Sequence, residues 1–149
     1  MNSTDLRSEQ ERTLSTPQLQ YGLLARLLFL AMDLVYGRKR TLSKFKVLEV
    51  IARVPYQAWE HVAYIAMTHM YGEPDFARRI YDFVREARKQ QDNELWHLLI
   101  LEEMIHREGR REGFLRYRLL PQFMAFFYYH MSWLLYVINP RLSYVLNAH

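Results

Sequence analysis

The stretch Asn93-Glu94-Leu95-Trp96-His97-Leu98-Leu99-Ile100-Leu101-Glu102-Glu103 decides how this chain is read. It is an apolar run of helical composition that opens with a Glu and a His three residues apart. Each helical residue advances about 100°, so Glu94 and His97 project to the same side, one turn apart. Ile80, Phe83, Ala87, Leu98, Leu101 and Ile105 fall within about 40° of Glu94 on the same helix. The pair is therefore expected on the apolar face. Ionised carboxylates are among the groups a core least tolerates. Either that face is wet or a cation sits against it.

A second Glu-x-x-His follows at Glu103 and His106. It lies about half a turn out of phase with the first and reads as a surface pair. The neighbouring apolar segment Val47-Leu48-Glu49-Val50-Ile51-Ala52 carries a lone carboxylate. Glu49 has two readings: an ion pair with Arg53 at i+4, or an inward ligand. Glu60 shares its face but stands about 16 Å further on, too far for one small metal site. Di-iron carboxylate bundles need a Glu and a Glu-x-x-His twice over, giving four carboxylates and two imidazoles around two irons. Glu49 with Glu94 and His97 make one such half-set. Carboxylates suit a hard cation and neutral imidazole suits iron.

The 149 residues are enough for one domain. Half are hydrophobic and 15% aromatic, too apolar for a disordered chain. Five Gly and five Pro provide few turns, which favours long helices over a meander of strands. With no cysteine, disulfides, Cys-zinc sites and thiolate catalysis are excluded. The net charge of +4 gathers at Arg38-Lys39-Arg40 with Lys44 and Lys46, and again from Arg107 to Arg118. Both clusters border apolar segments, which points to an anionic membrane surface and away from nucleic acid.

Residues 1–16 read as a disordered polar leader without a signal-peptide core, and 17–149 as one helical domain. Pro17 opens a first helix running to Tyr36. Thr41 to Tyr71 reads as a second helix, bent at Pro55. The third runs from Pro74 to Arg107 and the fourth from Phe114 to Ile138, with another begun at Arg141. The charge-free stretch Leu119 to Ile138 has the length of a membrane span. The first and fourth helices each read either as a buried core helix or as a membrane-contacting one, with the membrane favoured for the fourth. Because Gln122, His130 and Ser132 interrupt the fourth and Arg26 and Asp33 the first, membrane contact would mean lying in the plane and not spanning.

Four segments carry a family resemblance. They are Phe45-Lys46-Val47-Leu48-Glu49-Val50-Ile51-Ala52-Arg53-Val54-Pro55-Tyr56, the Asn93 to Glu103 stretch, Ala125-Phe126-Phe127-Tyr128-Tyr129, and Pro140-Arg141-Leu142-Ser143-Tyr144. In them the sequence resembles the alternative oxidases, most closely the plastid-terminal-oxidase-like quinol oxidases, over residues 33–149. The resemblance implies an all-α fold, a ferritin-like di-iron four-helix bundle with two additional apolar membrane-docking helices. It implies a monotopic enzyme of a bacterial inner or thylakoid-type membrane that oxidises plastoquinol or ubiquinol and reduces dioxygen to water. Glu49, Glu94 and His97 fall on iron ligands, and Asn93 on a residue beside them. Arg40, Lys44 and Leu48 fall near the quinol pocket, with Lys44 where the family commonly has Arg.

The family's remaining ligands, a Glu and a further Glu-x-x-His, and a catalytic Tyr are expected past His149. The resemblance thus marks the chain as an incomplete bundle holding half a metal site. A homodimer would supply a full ligand count by symmetry. The rival readings are a non-catalytic membrane-associated helical module and a di-iron hydroxylase of a lipid substrate.

Overall fold

The computed structural model describes residues 7–8, 11–12, 14–16 and 22–148, without the side chains of 24, 25 and 148. Most of the expected leader, and the expected helix start at Pro17, lie outside the described residues. Within the leader, residues 7–8, 11–12 and 14–15 are helical and exposed. Six principal helices follow: α1 Leu23–Tyr36, α2 Leu42–Ala52, α3 Val54–His69, α4 Pro74–Arg107, α5 Leu120–Ile138 and α6 Pro140–Ala148. No strand occurs among the described residues.

The ends of these helices follow from local chemistry. Gly37, at φ 82°, closes α1 in a conformation that costs a Cβ-bearing residue energy. Thr41 caps α2 by accepting a hydrogen bond from the Lys44 N–H at 3.2 Å. Pro74 occupies the first turn of α4, where its missing N–H has no intrahelical role. Beyond α4, Gly109 at φ 64° turns the chain. The Asn139 side chain accepts from the Arg141 N–H at 3.0 Å and starts α6 behind Pro140.

Two expectations are corrected. The single bent helix from Thr41 to Tyr71 is two helices, interrupted at Arg53. Pro55 has no N–H to give the Ile51 carbonyl, so the ladder stops and restarts with proline in the first turn of α3. The fourth helix is not α-helical from Phe114: Leu115–Leu119 forms a π-helical turn, with the Leu120 N–H reaching back to the Leu115 carbonyl. Pro121 likewise withdraws the donor that an α-ladder would offer to Tyr117.

The α2–α3 rod forms the spine. Both its helices pack on α4 and on α5, and α6 packs on α5. Met32 and Tyr36 bring the end of α1 onto Val47 and Ile51, with Tyr117, Leu120, Met124 and Tyr128 around them. Val50, Val54 and Ala125 form a second cluster, and Ala63, Ile80 and Val84 a third. Val47 and Val84 are fully buried, a gain of about 1.5–3 kcal/mol each.

Polar cross-links set the register of α4 against the spine. Lys46 meets Glu102, Glu49 meets His97, and Glu60 meets Arg88 and Gln91. Numbers rise along one rod as they fall along the other, so the two run in opposite directions.

Large apolar side chains remain exposed on α1 and α5. Leu23, Leu27, Leu30 and Leu34 line one face of α1, and Phe123, Phe126, Phe127 and Leu134 stand out from α5. Among the described residues no helix is long and apolar enough to cross a membrane. The Leu119–Ile138 stretch has the length for a span, but its polar and tyrosyl side chains lower its apolarity below what a span needs.

Candidate metal centre

Val47 and Val50 face cores and fix the rotation of α2, which turns Glu49 toward α4. Ile80, Val84, Ala87 and Ile105 do the same for α4. The result brings Glu49, Glu94 and His97 together. One ligand atom from each lies within 4.8 Å of the others. His97 Nδ1 stands 3.5 Å from Glu94 Oε2 and 3.7 Å from Glu49 Oε2. The carboxylates are mostly covered, with side chains 23% and 17% exposed, whereas His97 is 48% exposed. His97 sits at the rim of the face, about 60° round the helix from Glu94.

Glu49 Oε2 is buried and has no hydrogen-bond partner. Burial raises the Glu49 pKa, the adjacent Glu94 raises it further, and His97 offsets part of this, leaving it at about 7 in place of 4.5. Two carboxylates held this way find only partial compensation in His97. The donors also match what a hard divalent cation takes. The set therefore fits an iron site on geometry, charge and ligand type.

The alternative partner for Glu49 does not form. Arg53 lies at the helix break, with its Nε buried and unbonded. Glu60 serves elsewhere, bound by Arg88 and by Gln91. Glu103 bonds Arg107 at 2.9 Å on the exposed side of α4, as expected for a surface residue. Asn93 is exposed, and no hydrogen bond links it to the three clustered side chains. One position before Glu94, it is rotated about 100° off that face.

Arg40, Lys44 and Leu48 line one pocket of about 410 Å³, together with Phe29, Met32, Asp33, Arg38 and Phe45. Lys44 donates to Asp33 at 2.5 Å and to the Gly37 carbonyl at 2.9 Å. Leu48 belongs to this pocket while the next residue, Glu49, belongs to the cluster, so α2 separates the two by one side chain.

The family of proteins called alternative oxidase matches residues 6–149. The chain belongs to the alternative oxidase family. It is 40% identical over 113 residues to the Arabidopsis thaliana protein "Ubiquinol oxidase 4, chloroplastic/chromoplastic". That alignment takes in 76% of this chain and 29% of the relative, so the chain spans under a third of that protein's length. No solved structure matches. Membership of the alternative oxidase family accords with the all-helical architecture.

Sequence reasoning missed two features. By sequence Asp33 is only an interruption of an apolar helix, yet it faces the Arg40 pocket and holds Lys44. By sequence Lys46 belongs to a basic cluster, yet its side chain is only 7% exposed and bonds Glu102 and Glu112.

Proposed function

We propose that this chain contributes an iron-binding carboxylate–histidine set and a quinol pocket to a membrane-bound quinol oxidase that reduces dioxygen to water. The observation that carries the reading is the convergence of Glu49, Glu94 and His97 from two helices. Family membership and the relative's printed name support it. Glu49, Glu94 and His97 would hold iron, and an iron pair in such a site would supply the electron transfer from two quinols to one dioxygen, giving two quinones and two waters. His97 is half exposed at the rim of the cluster, and that open side is where further ligands would approach, from a longer chain or from a second copy.

In the neighbouring pocket Phe29, Met32, Phe45 and Leu48 supply apolar walls for a ring, and Arg38 and Arg40 supply N–H donors for its oxygens. Lys44 is already held by Asp33, so its part is to fix the pocket wall. Replacing the planar guanidinium by an ammonium here removes a bidentate donor and leaves recognition to the arginines. The exposed apolar faces of α1 and α5 would lie in one leaflet, which opens the pocket to a lipid-borne quinol.

The test is anaerobic iron(II) uptake by the purified chain, followed by quinol-dependent oxygen uptake on vesicles. Glu49→Ala, Glu94→Ala and His97→Ala are each expected to weaken iron uptake at least about tenfold. Iron uptake indifferent to all three overturns the reading. Mass measurement of the iron-loaded particle tells a monomer from a dimer. A hydroxylated lipid product in place of quinone would favour the hydroxylase.

A further inference from the structure

Lys46 is the most deeply covered charge beside the centre. Its ammonium donates to Glu102 Oε2 at 2.8 Å on α4 and to Glu112 in the connection between α4 and the π-helical turn. Glu112 is 12% exposed, and its second oxygen is buried without a hydrogen bond. Three segments thus meet on one cation. Breaking a buried ion pair from one side is costly, since the remaining charges stay behind uncompensated.

The location gives this cluster a second role. The centre lies between two polar cross-links of the antiparallel rods, Lys46–Glu102 on one side and Glu60 with Arg88 and Gln91 on the other. The spine is broken at Arg53, and Glu60 lies beyond that break on α3. Only the Lys46 cross-link is on the same helix as Glu49, one turn away. The Lys46–Glu102 bond spans the same two helices that carry the three clustered side chains.

We propose that Lys46 is a positioning residue: held by Glu102 and Glu112, it fixes α2 against α4 and so presets Glu49 beside Glu94 and His97. This rests on the metal reading given above. The Lys46 ammonium bonds Glu102 and Glu112, and Lys46 does not line the quinol pocket; it acts through the placement of α2.

The test compares the parent chain with Lys46→Arg and with the neutral triple variant Lys46→Met/Glu102→Gln/Glu112→Gln. The triple variant leaves no buried charge unpaired in the cluster, so its fold is not compromised by stranded carboxylates. The absence of native cysteine allows spin labels at Phe45→Cys on α2 and Ile100→Cys on α4. Pulsed-EPR distances without metal and cobalt(II) titration are the two readouts.

The expected result is a narrow distance distribution in the parent and in Lys46→Arg. In the triple variant it broadens, and cobalt(II) binding weakens about tenfold or more. An unchanged distribution in the triple variant, or unchanged cobalt(II) affinity, overturns the proposal. If the parent takes up no cobalt(II), the metal reading fails by itself. The distance distribution then decides alone whether Lys46 sets the helix spacing.

Discussion

Glu49 is a carboxylate held where its charge is poorly supported. Its pKa is raised from 4.5 to about 7, by burial first and by Glu94 second. A raised carboxylate pKa means that the native state keeps a proton that the unfolded chain has lost. In metal-free protein its contribution is therefore complete below pH 4.5 and declines as the pH climbs to about 7. Melting curves by circular dichroism in chelator are expected to show that decline, and Glu49→Gln to flatten it. Iron should reverse the trend in the parent, because metal competes with the proton and binds better as pH rises. A parent whose metal-free melting temperature rises steadily over this interval would contradict the account.

The same residue shows what sequence could and could not reveal. The i,i+3 spacing of Glu94 and His97 and the isolation of Glu49 among aliphatics were enough to nominate the cluster. The choice between Arg53 and the α4 ligands was not readable from spacing, because an i,i+4 pair and an inward ligand put Glu49 at the same place on the helix. Lys46 was unreadable for another reason. Its partners lie 56 and 66 positions away, and nothing local separates a buried lysine from its basic neighbours.

At the level of elements, boundaries with a chemical cause were legible and irregularities within helices were not. Pro74 and the glycine after α4 bounded it correctly at both ends. The π-helical turn carries the same helix-forming residues as an ordinary turn, so composition could not mark it. The caps yield direct expectations. Thr41→Ala should cost about 1 kcal/mol, since it removes the oxygen that satisfies the Lys44 N–H at the start of the helix bearing Glu49.

The docking of α6 depends on Trp59, which donates from Nε1 to Ser143 Oγ at 2.6 Å, while Ser143 donates to the Ser132 carbonyl. Both partners are buried, so Ser143→Ala should cost about 1–3 kcal/mol by stranding the indole N–H. Urea unfolding of the two variants measures both effects. A Ser143→Ala midpoint equal to the parent's would show the contact to be energetically idle.

For the molecule as a whole, the exposed apolar faces of α1 and α5 need a cover, and we have proposed a lipid leaflet. Leu30 and Leu34 are 65% and 85% exposed on α1, so replacing them disturbs no core. Leu30→Glu/Leu34→Glu is expected to abolish co-flotation with anionic vesicles while leaving iron uptake intact. The positive arginines near these faces should make the parent's binding fall as salt rises. Binding that survives the double substitution would remove α1 from the docking surface.

The interruption at Arg53 also makes the spine an articulated pair of levers instead of one stiff bar. In an uninterrupted helix, a twist applied at one end swings every side chain along it. Here the Ile51 carbonyl has no donor at Pro55, so a strain arriving at the His69 end, from temperature, substitution or a docked neighbour, meets a weaker link at the proline joint. The α2 lever, with its single acid, keeps its aim.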